Sequence, residues 1–76
     1  TMDKNEFLIR LGKRIRFLRK QKNYSLFDLA DKTSKDYNSI SRVERGEINP
    51  SAYFLWEISQ GLDVKIDELL KIENIV

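Results

Sequence analysis

The sequence contains neither cysteine nor histidine, and with three glycines and one proline it has few residues that interrupt regular structure. Without cysteine the chain has no disulfide framework and no thiolate nucleophile. Without histidine it lacks the commonest metal ligand and an imidazole base. No apolar run approaches the ~20 residues of a membrane span, and no secretory signal is visible. We therefore expect a small soluble cytoplasmic protein with no metal, cofactor or membrane partner, and little supports an enzyme.

Length and composition indicate one small folded domain. A chain of 76 residues buries only about 60% of the surface that it exposes when unfolded. With 41% hydrophobic and 34% charged residues, the composition is typical of folded rather than disordered chains. We expect a single domain over residues 2–76, leaving out Thr1, which precedes Met2.

The net charge of +2 is distributed unevenly along the chain. Residues 1–24 carry eight Lys/Arg and two Asp/Glu, residues 25–46 carry four of each, and residues 47–76 carry two Lys/Arg and six Asp/Glu. A basic first third and an acidic last third suit a protein that turns one face towards a polyanion. Solvated helix faces would explain the same charges, so charge alone leaves both interpretations open.

Apolar spacing and capping residues predict five helices. Apolar residues recur at i, i+3, i+7 and i+10 from Leu8 to Leu18, which predicts an amphipathic helix from about Asp3 to Lys22. The other predicted helices span 26–32 and 37–45, then one that begins after Ser51 and closes at 61–63, and one from about Ile66 towards Ile72. The predicted N-caps are Ser25, Asp36 and Ser51. No alternating strand pattern competes, so the expected fold is a compact all-α five-helix bundle.

The second and third predicted helices, joined by a short turn, have the outline of a helix-turn-helix. At about 100° per residue, Ile40 and Val43 of the third helix point to one side. The opposite, polar side carries Asn38, Ser41, Arg42 and Arg45. Asparagine suits adenine, arginine suits guanine and serine suits either in the major groove. An ordinary solvated helix face is the alternative.

Four stretches carry a family resemblance: residues 11–19, residues 25–30, the segment Ile-Ser-Arg-Val-Glu-Arg-Gly at 40–46, and Asn-Pro-Ser at 49–51. In this order and spacing they resemble the Cro/C1-type helix-turn-helix family, which includes lambdoid phage repressors and the controller proteins of restriction-modification systems. The likeness covers about residues 8–70. It implies a lambda-repressor-like DNA-binding domain whose third helix enters the major groove of double-stranded DNA.

The resemblance also implies roles for particular residues. The positions that match the base-reading residues of the family are Tyr37, Asn38, Ser41 and Arg42. The residues expected near the DNA backbone are Arg14, Ser25, Lys35, Arg45, Asn49 and Ser51. Arg19 and Glu44 match a family ion pair between the first and third helices, which would orient the recognition helix. From its position beside the apolar stripe, Arg19 is expected to be half-buried.

Four positions depart from the family pattern. Leu26 stands where a glutamine usually meets a phosphate, although the backbone N–H groups at that helix start remain available. Ser34 replaces a glycine and would be strained if its φ were positive. Lys35 stands at a usually buried apolar position, where its stem can cover apolar surface while its ammonium group stays in water. Asp36 caps its helix but repels the phosphate that a hydroxyl residue there would meet.

Aromatic residues on the fourth helix suggest a partner surface. Tyr53 and Trp56 lie more than 100° from the apolar stripe Leu55, Ile58 and Leu62, and large exposed aromatic residues often mark an interface. The resemblance assigns the dimer contact to the fourth and fifth helices. The alternative is that the C-terminal residues Ile72, Ile75 and Val76 fold back over these rings or over the first helix. We expect the tail to cover Phe17 and the dimer to use Tyr53 and Trp56.

The sequence thus predicts a sequence-specific transcriptional regulator that binds a two-fold DNA operator as a homodimer, of the restriction-modification controller or phage repressor type. The first alternative is an antitoxin-type protein-interaction module, although no separate toxin-binding extension is visible. The second is a non-specific nucleoid or RNA binder, which the low net charge and the varied polar face of the third helix disfavour.

Overall fold

The computed structural model describes residues 1–73 and contains five α-helices within them. They are α1 (Lys4–Gln21), α2 (Leu26–Asp31), α3 (Tyr37–Glu44), α4 (Ala52–Leu62) and α5 (Ile66–Leu69). Residues 1–73 contain no β-strand, so the predicted all-α five-helix fold is confirmed. None of these helices combines the length and the apolar character needed to cross a membrane.

Local capping explains where the helices begin. Ser25 accepts a hydrogen bond from the backbone N–H of Asp28 at 3.0 Å, and the Asp28 carboxylate accepts one from the backbone N–H of Ser25 at 2.8 Å. Asp36 and Ser51 cap α3 and α4 by the same i to i+3 contact. These side chains satisfy N–H groups that have no partner inside the helix. The predicted caps are therefore confirmed.

The core is formed by one apolar face of every helix. Its buried members are Leu11, Ile15, Leu18, Leu29, Ile40, Val43, Phe54, Ile58, Leu62 and Leu69. On α4 the buried stripe runs through Phe54 rather than Leu55, which is only partly buried. This rotates the inward face of α4 from the predicted one and leaves Tyr53 and Trp56 outside.

The C-terminal segment follows a different course from the predicted one. Helix α5 ends at Leu69, and Ile72 is buried although it lies outside the helix. The guanidinium of Arg10 donates to the Ile72 carbonyl at 3.2 Å, which holds this segment beside the first half of α1. Phe17 remains 52% exposed, so the described tail does not cover it. Ile75 and Val76 lie outside the described residues.

Glycine allows α1 to approach the end of α3 closely. A β-carbon at Gly12 would lie 2.5 Å from the Val43 carbonyl oxygen and 2.7 Å from the Glu44 carbonyl carbon, which is closer than van der Waals contact allows. Any larger residue would push the two backbones apart, because carbonyl oxygens cannot move aside as side-chain tips do. Gly12 therefore sets the distance between α1 and α3.

Candidate nucleic-acid interface

An ion pair buried between α1 and α3 fixes the orientation of α3. The Arg19 guanidinium donates to both carboxylate oxygens of Glu44, at 2.7 and 3.0 Å, and its third nitrogen donates to the Tyr24 carbonyl at 2.8 Å. Arg19 is 7% exposed, so it is more buried than the sequence predicted. With all three nitrogens engaged, the pair meets the geometric condition under which a buried charge is tolerated.

The side of α3 opposite the core is open to solvent. Ile40 and Val43 are buried, whereas Asn38 and Arg42 are exposed and Ser41 is half-buried. Tyr37, the first residue of α3, is 39% exposed. The structure therefore places the four predicted base-reading residues on one continuous surface, with hydrogen-bonding groups of the types that read base edges.

An acidic residue that sequence reasoning missed lies between two arginines of this surface. Glu47 is 3.6 Å from the Arg42 guanidinium and 3.2 Å from that of Arg45. All three side chains are about half exposed. The short distance in sequence between Glu47 and the two arginines was a signal of this contact. Only the turn at Gly46, where φ is +73°, brings Glu47 back towards them.

A second carboxylate lies at the beginning of α3. Asp36 accepts from the Ser39 hydroxyl at 2.7 Å and from the Ser39 backbone N–H at 3.2 Å. These two hydrogen bonds, the hydroxyl first, hold the pKa of the Asp36 carboxyl below its usual value. The capping group is therefore anionic at neutral pH. The expectation that Asp36 caps α3 is confirmed, and its repulsion of a phosphate remains a prediction.

The turn between α2 and α3 is stabilised from α4 rather than by a strained backbone. Among residues 1–73, the non-glycine residues with positive φ are Asn23 and Asp63, so the conditional strain at Ser34 does not arise. Ser34 instead donates its backbone N–H to the Glu57 carboxylate at 3.2 Å and its hydroxyl at 2.7 Å. The hydroxyl contact is the main reason that the pKa of Glu57 is lowered.

Lys35 is packed against α4. Its ammonium group lies 5.6 Å from the centre of the Tyr53 ring and 5.5 Å from that of Phe54, which is cation–π distance. The residue is half-buried, as expected for a lysine whose stem covers apolar surface. A phosphate contact from Lys35 remains a prediction.

Arg14 departs from its expected place beside the DNA backbone. Its guanidinium donates to the Glu68 carbonyl at 2.8 Å and to the Glu68 carboxylate at 3.2 Å, and the side chain is 18% exposed. On α1 it lies about 200° from Gly12, the residue that faces α3. Arg14 thus joins α1 to α5 and is not among the proposed DNA contacts.

The remaining predicted backbone contacts lie at exposed positions. Ser25 and Ser51 are exposed N-caps whose hydroxyl oxygens already accept a backbone hydrogen bond, and Asn49 is exposed in the loop before α4. Each hydroxyl keeps its own proton available for a phosphate oxygen. The structure is therefore compatible with these predicted contacts.

Two aromatic pairs lie on the surface. Tyr53 and Trp56 on α4 are 62% and 46% exposed, with ring centres 5.8 Å apart and planes inclined by 25°. Phe27 on α2 stacks on Tyr37 of α3, with centres 4.7 Å apart and planes inclined by 17°. Sequence reasoning did not single out Phe27, although its position on α2, far from the inward-facing Leu29, predicted exposure.

Known proteins are similar to this chain in sequence and in fold. The HTH-type transcriptional regulator SinR of Bacillus subtilis is 43% identical over 61 residues, which are 79% of this chain and 55% of SinR. The restriction-modification controller protein C.AhdI from Aeromonas hydrophila superposes with a TM-score of 0.80 at 34% identity, covering 82% of this chain and 94% of C.AhdI. An HTH_3 family transcriptional regulator from Vibrio cholerae gives a TM-score of 0.87 at 25% identity, and the match covers 93% of this chain and 40% of the regulator.

The family assignment rests on most of the chain. The chain spans about half the length of the curated relative SinR. The HTH_3 helix-turn-helix family matches residues 15–69, which include α2, the turn and α3 together with all of α4 and α5. This chain belongs to the helix-turn-helix family.

Proposed function

We propose that the chain is a sequence-specific DNA-binding transcriptional regulator, with α3 as the helix that enters the major groove. The observation that carries this proposal is the contrast between the two sides of α3. One side is fixed to α1 by the buried Arg19–Glu44 pair, and the other exposes Asn38 and Arg42. A rigidly held helix with outward amide and guanidinium groups suits direct readout of bases.

Phosphate contacts would come from the surroundings of α3. Arg45 at the end of the helix, Asn49 in the following loop and Ser51 at the start of α4 are exposed in sequence order along one stretch of chain. Ser25 and the first N–H groups of α2 would bind the backbone from the other side of the turn. Such contacts position a protein on the duplex and add affinity without specifying sequence.

The functional unit that we propose is a homodimer on a two-fold operator. One copy offers only the few base-reading side chains of α3, which give limited discrimination against the many other sites of a genome. The exposed Tyr53–Trp56 pair is a candidate contact between copies, because aromatic residues are enriched at interfaces. Two recognition helices about 34 Å apart would then read two half-sites.

Within this class we infer a restriction-modification controller or a phage-type repressor. The support is the match with the controller C.AhdI, which extends over 94% of that protein, whereas the match with SinR extends over 55% of SinR. An antitoxin-type module is the second candidate, since a toxin could dock on the same exposed Tyr53–Trp56 pair.

Selection of bound sites from random duplex DNA tests the proposal. A regulator of this type should select a palindromic motif with half-site centres about one helical turn apart. Random sequences in the bound fraction would contradict specific readout. A selection that yields only random sequences, combined with co-purification of a stoichiometric protein partner, would favour the antitoxin hypothesis.

A further inference from the structure

The stacked pair Phe27–Tyr37 is an apolar surface at the edge of the proposed reading face. Phe27 is 64% exposed, the largest exposed fraction among the exposed large hydrophobic residues of the described chain. Its ring lies nearly parallel to that of Tyr37, at 4.7 Å between centres. The stack orients Phe27 without burying it, since it covers one face of the ring and leaves the other open.

The two rings connect α2 with the beginning of α3. Phe27 points about 160° away from the buried Leu29 around α2. Tyr37 is the first residue of α3 and directly precedes Asn38, the first of the exposed amide and guanidinium groups. The aromatic surface is therefore continuous with the polar surface formed by the outward residues of α3.

We propose that Phe27, held by Tyr37, contacts the C5-methyl group of a thymine in each half-site; this inference rests on the proposed function. The thymine methyl is the apolar group that a base pair presents in the major groove, and apolar side chains recognise it. A phenyl ring has no hydrogen-bond donor for a phosphate or a base edge. Phe27 thus determines specificity at a position next to those read by the polar residues of α3.

The test uses the complete chain and DNA that differs by single methyl groups. The preferred site is first selected from random duplex DNA. Each thymine of one half-site is then replaced in turn by deoxyuridine, which keeps the base pairing and removes only the methyl group. Dissociation constants are measured for the wild type, for Phe27→Ala and for the control Phe17→Ala, which truncates an exposed phenylalanine on α1.

Removing the methyl group of one particular thymine in the half-site should lower the wild-type affinity about fourfold, which is the effect expected from the burial of one methyl group. Phe27→Ala should bind the unmodified site about fourfold more weakly than the wild type does. Replacing the same thymine by deoxyuridine should not weaken its binding further. Phe17→Ala should behave as the wild type. Because Phe27 is exposed, we expect all three proteins to have the same circular dichroism spectrum.

Several results would overturn the proposal. A selected motif in which every thymine can be replaced without loss, or a Phe27→Ala protein that still responds to the same replacement, would show that no methyl contact is made by Phe27. A change in self-association instead of DNA affinity would assign the ring to a protein interface. A selection without any motif would overturn the proposed function as well, so the two failures are distinguishable.

Discussion

Arg19 binds both carboxylate oxygens of Glu44, at 2.7 and 3.0 Å, in a pair whose side chains are 9% and 5% exposed. The pair joins α1 to the last residue of α3, next to the close approach of Gly12. The orientation of α3 therefore depends on a contact that points away from the proposed DNA surface.

Replacing Glu44 should weaken the fold and DNA binding together. Glu44→Ala leaves the Arg19 guanidinium buried without its counter-ion, and the loss of one partner of a buried pair costs about 3–5 kcal/mol. Thermal unfolding and binding to the selected site should both show the loss, with the preferred sequence unchanged. Glu44→Gln, which keeps the shape and one acceptor oxygen, should be less damaged. An unchanged melting temperature with an altered base preference would mean that Glu44 faces DNA.

Arg42 and Arg45 form a matched pair for separating base readout from backbone contact. Both are about half exposed and both approach Glu47. Arg42→Ala should weaken specific binding by about 1–3 kcal/mol and relax preference at one position per half-site. Arg45→Ala should weaken specific and random DNA equally and reduce the salt dependence by about one counter-ion. Equal losses on both kinds of DNA for Arg42→Ala would make it a phosphate contact.

Neutralising Glu47 should increase DNA affinity. Its carboxylate competes with DNA for the two arginines, at distances of 3.6 and 3.2 Å. Because exposed ion pairs contribute about 0.2–1 kcal/mol, Glu47→Gln should bind up to about fivefold more tightly, with a larger gain at low salt. The control is Asp63→Asn, which also removes one negative charge but lies in the turn after α4. Asp63 has a left-handed backbone conformation, which asparagine also adopts. Weaker binding by Glu47→Gln would show that this carboxylate positions the arginines productively.

Helix capping should make the fold sensitive to acid. Hydrogen bonds from Ser25 to Asp28, and from Ser39 to Asp36, lower the pKa of both aspartates below the usual value. Groups with a lower pKa in the folded chain stabilise it while they are ionised, and that stabilisation disappears as the pH falls through the folded pKa. Melting temperatures should therefore fall from about pH 4 downward. Asp36→Asn, which keeps a capping oxygen but does not titrate, should lose less stability over this range than the wild type. If the melting temperatures of the two proteins fall in parallel with pH, Asp36 is not a source of the acid sensitivity.

Trp56 should be required for self-association but not for folding. The ring is 46% exposed and stacks on Tyr53, so Trp56→Ala should keep the helical fold and shift the protein towards monomer, with loss of operator affinity. Light scattering at several concentrations measures this, with Phe17→Ala as the matched control on α1. A wild type that is monomeric at high micromolar concentration, or a Trp56→Ala protein that stays dimeric, would refute this interface.

The local organisation of the chain could be predicted from the sequence because its signals act over three or four residues. Ser25, Asp36 and Ser51 each cap a helix through the residue three positions later, so the same short motif both forms the contact and reveals it. The apolar stripe from Leu8 to Leu18 identified the inward face of α1 by its helical period. The helix-turn-helix order followed from these boundaries and from the motif at residues 40–46.

The partners of the charged and aromatic side chains were decided by the tertiary structure. Arg14 reaches Glu68, 54 positions away, and Ser34 reaches Glu57, 23 positions away. Helical periodicity gives the direction in which a side chain leaves its own helix, but not which neighbour the packing brings within 3 Å of it. A guanidinium binds the carboxylate that the fold places within reach, so Arg14 joins α5 while Arg42 stays on the open face of α3.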